Sequence, residues 1–282
     1  MTGVQTCALP ISAAGAVPDF SSGGIGWLNT HNDFIRPAAG PGPVTWDPAH
    51  PYFGNGDGPK PTSRVADLTN PILMPWVKDA LQKFNADALA GKPQYTPIAR
   101  CWPSGVPGNI LLRVNPMFIV QTPSEVLFLY QSDHQVRHVY MNRPHAKTVA
   151  PSWYGESIGH YEGDTLVDDT VGIDERAPVD GFGTPHTKQL HVVERFHLIE
   201  NGAVLEANVR VEDPGAFTTP WNAVQLYRQY EAAVRQVPID RLAQLASGEE
   251  GPLIERTCAE NPSSFFAGEE VLPIPQAAQP DF

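Results

Sequence analysis

QLHVVERFHLIENGAVLEANVRVE, residues 189–212, is the stretch that decides the fold. On each side of ENGA (200–203), residue types alternate with a period of two, the period of a half-buried strand. Asn201-Gly202 supplies the left-handed backbone that a tight reversal needs. The reading is therefore an antiparallel hairpin. Within its first arm, Leu190, Val192, Glu194, Phe196 and Leu198 share one face, and His191, Val193, Arg195 and His197 share the other. Two arrangements remain open. Either Glu194 sits as a carboxylate among apolar neighbours, or His191 and Arg195 line a polar cavity.

Working outward, similar short runs recur: NILLRV (109–114), MFIVQT (117–122), EVLFLYQ (125–131), QVRHVYM (135–141), TLVDDTVG (165–172) and NAVQLYRQY (222–230). Turn signals TPSE, EGDT and DPGA lie between them. Regular short strands with polar turns predict an antiparallel meander that closes into a barrel. SIGHYEGDTLVDDTVG (157–172) reads as a second hairpin about a tight EGDT turn. Asp164 is then a turn residue, and one of Asp168 and Asp169 faces inward.

The expected fold is mainly β: an antiparallel barrel with one or two flanking helices and a long irregular N-terminal arm. The clearest helix covers 75–90, with Pro75 in its first turn and Trp76, Val77, Ala80, Leu81, Phe84 and Ala88 at helical spacing. A second is expected over PIDRLAQLAS (238–247). Residues 12–70 are rich in Pro, Gly, Asp and Asn, and 37–63 above all hold no helix or central strand. One barrel domain spans 71–262, and 263–282 is an irregular tail. Met1–Ile11 has no charge and no period, and it resembles an in-frame translated sequencing adapter. The absence of a signal peptide therefore carries no information.

The formal net charge of −12 argues against a nucleic-acid partner, which selects a basic surface. No apolar run reaches the roughly 18 residues of a membrane helix. With Cys7 assigned to the adapter, Cys101 and Cys258 form a pair. A Cys101–Cys258 disulfide is expected, and with it an oxidising compartment.

Seven of the nine histidines fall between His134 and His197, and this clustering is the main chemical signal. No HExxH, CxxC, G-x-S-x-G or phosphate-binding glycine motif accompanies it. His134 and His138 share a strand face, and Arg137 points oppositely. A His-ligated divalent metal is the cofactor this clustering would admit, but no motif fixes one. The catalytic candidates are Glu194, His191, His134 and Asp169. The candidates for holding a ligand are Arg137, Arg195, His186, Arg143, His145 and Trp153. The expectation is that His134, Arg137, His186, His191, Glu194 and Arg195 gather around one cavity.

GESIGHYEGDTLVDDTVGID (155–174), TPHTKQLHVVERF (184–196) and VEDPGAFTTPW (211–221) resemble a family of secreted bacterial proteins of Acidobacteria and Proteobacteria type. RCWPSGVP, DHQVRHVYMNRPH and PDFSSGGIGW fit the same pattern. The resemblance covers most of 18–260 and implies a lipocalin-like (calycin-type) barrel and periplasmic or secreted placement, with no settled activity. It marks His134, Arg137, Arg143, His145, Asp164, Asp169, His186, His191, Glu194, Arg195 and Asp213. The chain departs from the pattern at Asp168, where an apolar residue is usual, at Tyr161, where Trp is usual, and in an insertion over 232–251. Two functions follow. One is an enzyme performing acid–base chemistry on a small phenolic or sugar-like molecule by elimination, isomerisation or hydrolysis. The other is a carrier for a small apolar ligand. The many ionisable residues favour the enzyme, and the oligomeric state stays open.

Overall fold

The computed structural model describes residues 17–31, 33–50, 64–90, 97, 101–111, 116–131 and 135–229. Among them nine strands close into a lipocalin-like barrel in chain order. They are β1 (Trp27–Asn29), β2 (Met117–Gln121), β3 (Glu125–Tyr130), β4 (Val136–Met141), β5 (Glu156–Glu162), β6 (Thr165–Val171), β7 (His191–Ile199), β8 (Val204–Glu212) and β9 (Trp221–Gln229). The helix α1 (Pro75–Leu89) flanks the barrel.

The 189–212 stretch forms its hairpin, registered from Ile199↔Val204 to His191↔Glu212. Glu200, Asn201 and Gly202 take φ of 49°, 57° and 86°, the left-handed region that Asn and Gly tolerate best. The β5–β6 hairpin turns through Gly163 and Asp164 alone, pairing Glu162 with Thr165. That register sets Ser157 opposite Thr170 and Gly159 opposite Asp168.

Three expectations need correction. The barrel is mostly antiparallel rather than wholly so, because β4 and β5 run parallel through Val139↔Ser157, Tyr140↔Ile158 and Met141↔Gly159. A parallel pair cannot be joined by a tight turn, and residues 142–155 make the crossing. Gly159 permits the close approach there: a Cβ would lie 2.7 Å from Val139 Cγ1 and 2.9 Å from Met141 Sδ. Next, Gly108–Leu111 is a 3-10 turn, so NILLRV does not begin as a strand. Ile110 and Leu111 are buried in that turn, and a short apolar run cannot be told from a strand by its pattern alone.

The third correction concerns the arm. It is not irregular throughout, since Trp27–Asn29 form β1, which inserts between β2 and β9 and completes the barrel, so the barrel is not confined to 71–262. The preceding segment straps one end: Trp27 Nε1 donates to the Phe20 carbonyl at 2.7 Å, and Gln121 Nε2 donates to the Pro18 carbonyl at 2.8 Å. At the opposite end α1 packs on the β8–β9 connection, where Trp76 Nε1 donates to the Gly215 carbonyl at 2.7 Å. Val77, Leu81, Asn85 and Ala88 form the buried face of α1. Trp76 and Ala80 of the expected stripe face outward. Asn85 takes its place there by bonding both the N–H and the carbonyl of Ala66 at 2.8 Å.

The core fills the barrel with Trp27, Phe128, Phe196, Leu205, Trp221 and their neighbours. The second expected helix, the tail and Cys258 of the expected disulfide lie outside the described residues. No helix among the described residues is long and apolar enough to cross a membrane.

Candidate functional site

Strand alternation divides the candidates between two faces of one wall. Inward positions of β4, β6 and β7 bring Arg137, Asp168 and Glu194 together, and all three side chains are 0% exposed. Arg137 Nη2 lies 2.7 Å from Asp168 Oδ2 and 2.5 Å from Glu194 Oε2. The same nitrogen donates to Thr170 Oγ1 at 2.8 Å, and Arg137 Nε donates to Ser157 Oγ at 3.1 Å. The guanidinium also lies over the Phe128 ring, 5.6 Å from its centroid. Tyr130 accepts a short hydrogen bond from Asn109 Nδ2, and Tyr227 OH donates to the Ile110 carbonyl at 3.1 Å.

Burial pushes the Asp168 carboxyl up to about 8, and the Glu194 charge adds to this against the pull of Arg137. Burial also opposes the charge on Arg137, yet the two carboxylates hold it protonated more firmly than usual. Among the described residues, Asp168 Oδ1 and Glu194 Oε1 find no hydrogen-bond partner.

Outward positions carry a second, half-exposed cluster. Asp169 Oδ1 lies 2.9 Å from His145 Nε2 and 2.9 Å from His191 Nε2. His145 Nδ1 reaches Glu156 Oε2 at 3.1 Å. His191 Nδ1 faces Glu212 Oε2 at a looser 3.8 Å. Carboxylate and imidazole thus alternate across β5, β6, β7 and β8, with His145 reaching in from the β4–β5 crossing.

Burial raises the Asp169 carboxyl, but its hydrogen bonds with His191 and His145 outweigh this and leave it low. The bond to Asp169 is the main reason that His191 holds its proton above the usual imidazole range. Glu156 is held low, chiefly by the Ala146 backbone N–H, which donates to it at 2.8 Å.

The structure does not gather the candidates around one cavity. Arg137 and Glu194 are inside, and His191, Arg195, Asp169 and His145 are outside. The physical reason is the period of two: Glu194 and its neighbours Val193 and Arg195 cannot share a face. Asp168, not Asp169, is the inward member of its pair.

Arg195 pairs with Glu162 at 2.7 Å and holds that exposed carboxylate down to about 2. His186 is buried between the carbonyls of Thr187 and Asp174, at 2.8 and 3.2 Å, and ties the β6–β7 connection. Arg143 stacks over Tyr140 at 3.7 Å and reaches Glu156 at 3.4 Å. Trp153 packs on Trp102 and under Arg176, with a ring separation of 5.4 Å. Asp164 is a turn residue. Asp213 accepts from Thr187 N and Gly215 N at 2.6 and 2.9 Å, a loop anchor. His134 lies outside the described residues.

Sequence reading missed Glu156 and Glu212, the outer members of the relay, and Ser157 and Thr170, which support Arg137. For the last two the signal was available. The two-residue EGDT turn fixes the register, and parity then turns Ser157, Asp168 and Thr170 inward together.

Among the described residues no group of three or more His, Cys, Asp or Glu is arranged to hold a metal ion. Comparison with protein-family models, curated proteins and solved structures finds no match to this chain.

Proposed function

We propose that the protein is a secreted enzyme that moves protons on a small phenolic or sugar-like molecule, with its working groups on the outer wall of the barrel. The observation that carries this reading is Asp169 Oδ1 bound at 2.9 Å to the Nε2 of both His145 and His191. A carboxylate that fixes one imidazole nitrogen sets the tautomer and leaves the other nitrogen to exchange a proton. His191 suits that role. Its ring is 33% exposed, and its Nδ1 is held only loosely by Glu212. Asp169 positions the ring, and His145 with Glu156 positions Asp169. Glu194, fully buried, is removed from contact with any solute, so the acid–base role passes from it to His191.

Elimination, isomerisation and hydrolysis all need such a group. A panel of aryl esters, aryl glycosides and sugar lactones assayed with the intact protein tests the reading. A substrate whose turnover falls about 10²–10⁴-fold in His191→Gln, with the melting temperature kept, supports it. Turnover indifferent to His191→Gln and Asp169→Asn overturns it.

The carrier reading has the closed lipocalin-like barrel in its favour and the charged interior against it. Saturable binding of an apolar probe without any turnover would favour the carrier. Secretion also rests on the proposed Cys101–Cys258 disulfide, for which mass spectrometry without reductant should find one intact cross-link.

A further inference from the structure

Among the described residues, the barrel interior contains two carboxylates and one cation that the outer site does not use. Asp168 and Glu194 are direct cross-strand partners on β6 and β7, and both touch the same nitrogen of Arg137. Arg137 comes from β4, so the contact passes over β5 and braces the parallel junction, which has only three registered pairs. One guanidinium balances one carboxylate. A second ionised carboxylate in this fully buried setting would remain uncompensated, and a protein relieves that by keeping the acid neutral.

Among the described residues, the other groups facing the pair offer no second cation. Tyr130 comes from β3 and Tyr227 from β9, both buried phenols, and burial raises both above their ordinary range. From β5 come Ser157 and Gly159, and from β8 Val209, the cross-strand partner of Glu194. Thr170 is the next inward residue of β6. Asp169, on the far face of the same strand, adds negative charge.

We propose that the folded barrel retains one exchangeable proton on the Asp168–Glu194 pair, and that its loss in mild alkali releases the Arg137 brace across the β4–β5 junction. The device is alkali-sensitive in one direction only. The folded state holds a proton that the unfolded chain, with an ordinary aspartate near 4, has already released. Stability therefore falls as pH rises from that ordinary value through the raised one, about 8 for Asp168. Below the window both states are protonated and the dependence vanishes.

Infrared difference spectra of the intact protein at neutral pH should show the carbonyl stretch of a protonated carboxylic acid. The band should disappear in both Asp168→Asn and Glu194→Gln, since either change leaves one acid for one cation. The wild-type melting temperature should fall by several degrees between about pH 5 and pH 9, and in Asp168→Asn only the small slope that His191 contributes in this window should remain. Should a variant fail to fold, an alkaline jump on the wild type decides. The band should vanish as the β4 and β5 amides begin to exchange faster than the pH change alone dictates. A spectrum with no band removed by either variant, an Asp168→Asn protein with the full alkaline fall, or a band that vanishes while those amides stay protected overturns the proposal.

Discussion

Asp168 and Asp169 are neighbours in the chain and opposites in every physical respect. The first faces the barrel interior, is 0% exposed and is pushed up to about 8. The second faces outward, is 35% exposed and is held low by two histidines. One peptide unit separates them, and the sheet wall does the rest. The inner cluster is ordered by burial, where desolvation exceeds the attraction of the nearest cation. The outer cluster is ordered by hydrogen bonding, where partial solvation leaves desolvation the weaker effect. The inner group thus bears on stability and the outer on the proposed chemistry, although the residue type is the same.

That contrast can be broken by substitution. Arg137→Met should have the largest effect on stability, about 3–5 kcal/mol, because it leaves the buried Asp168–Glu194 pair without its cation. Urea unfolding measures it, and a loss below about 1 kcal/mol would erase the distinction between the faces. Asp169→Asn comes next and moves a different quantity. Turnover should drop about 10²–10⁴-fold while unfolding changes by no more than about 1 kcal/mol.

His191→Gln sharpens the comparison through pH. A histidine raised by a folded-state partner adds stability that is full below its unfolded value near 6.5 and fades as pH rises through the folded value. The variant should lose that slope, worth about 0–1 kcal/mol for so exposed a pair. The opposite slope, stability gained on raising pH in that window, would refute the assignment. Least affected should be Glu162→Gln. Its partner Arg195 is solvated, and the melting temperature should not move even though its carboxylate is held down to about 2.

The strands around 189–212 and their turns were legible because alternation and turn chemistry are local. The inward placement of Glu194 was one of two alternatives, and parity alone could not select it. Which face of a strand is buried depends on the rest of the barrel. β1 was hidden for a different reason: three residues, Trp27–Asn29, preceded by a glycine-rich run, carry no periodic signal and become a strand only because β2 and β9 leave a gap. The parallel junction was equally invisible, since pairing direction is set by the route of residues 142–155 and not by composition. The outer relay needed Glu156 and Glu212 from two further strands, and convergence across strands has no signature in the chain.

The position of β1 has a consequence for how the molecule assembles. Its partner β9 lies about 200 residues away, with Trp27 against Gln229. Every other strand pairing joins sequence neighbours and can zip up in order as the chain becomes available. The seam between first and last strands must wait for β9, and until then the sheet is open, with unpaired backbone along its free edges. Closing so long a loop is entropically costly and slow. An incomplete chain therefore passes through a stage in which it can pair with copies of itself. Any truncation that removes Trp221–Gln229 would make that transient stage permanent.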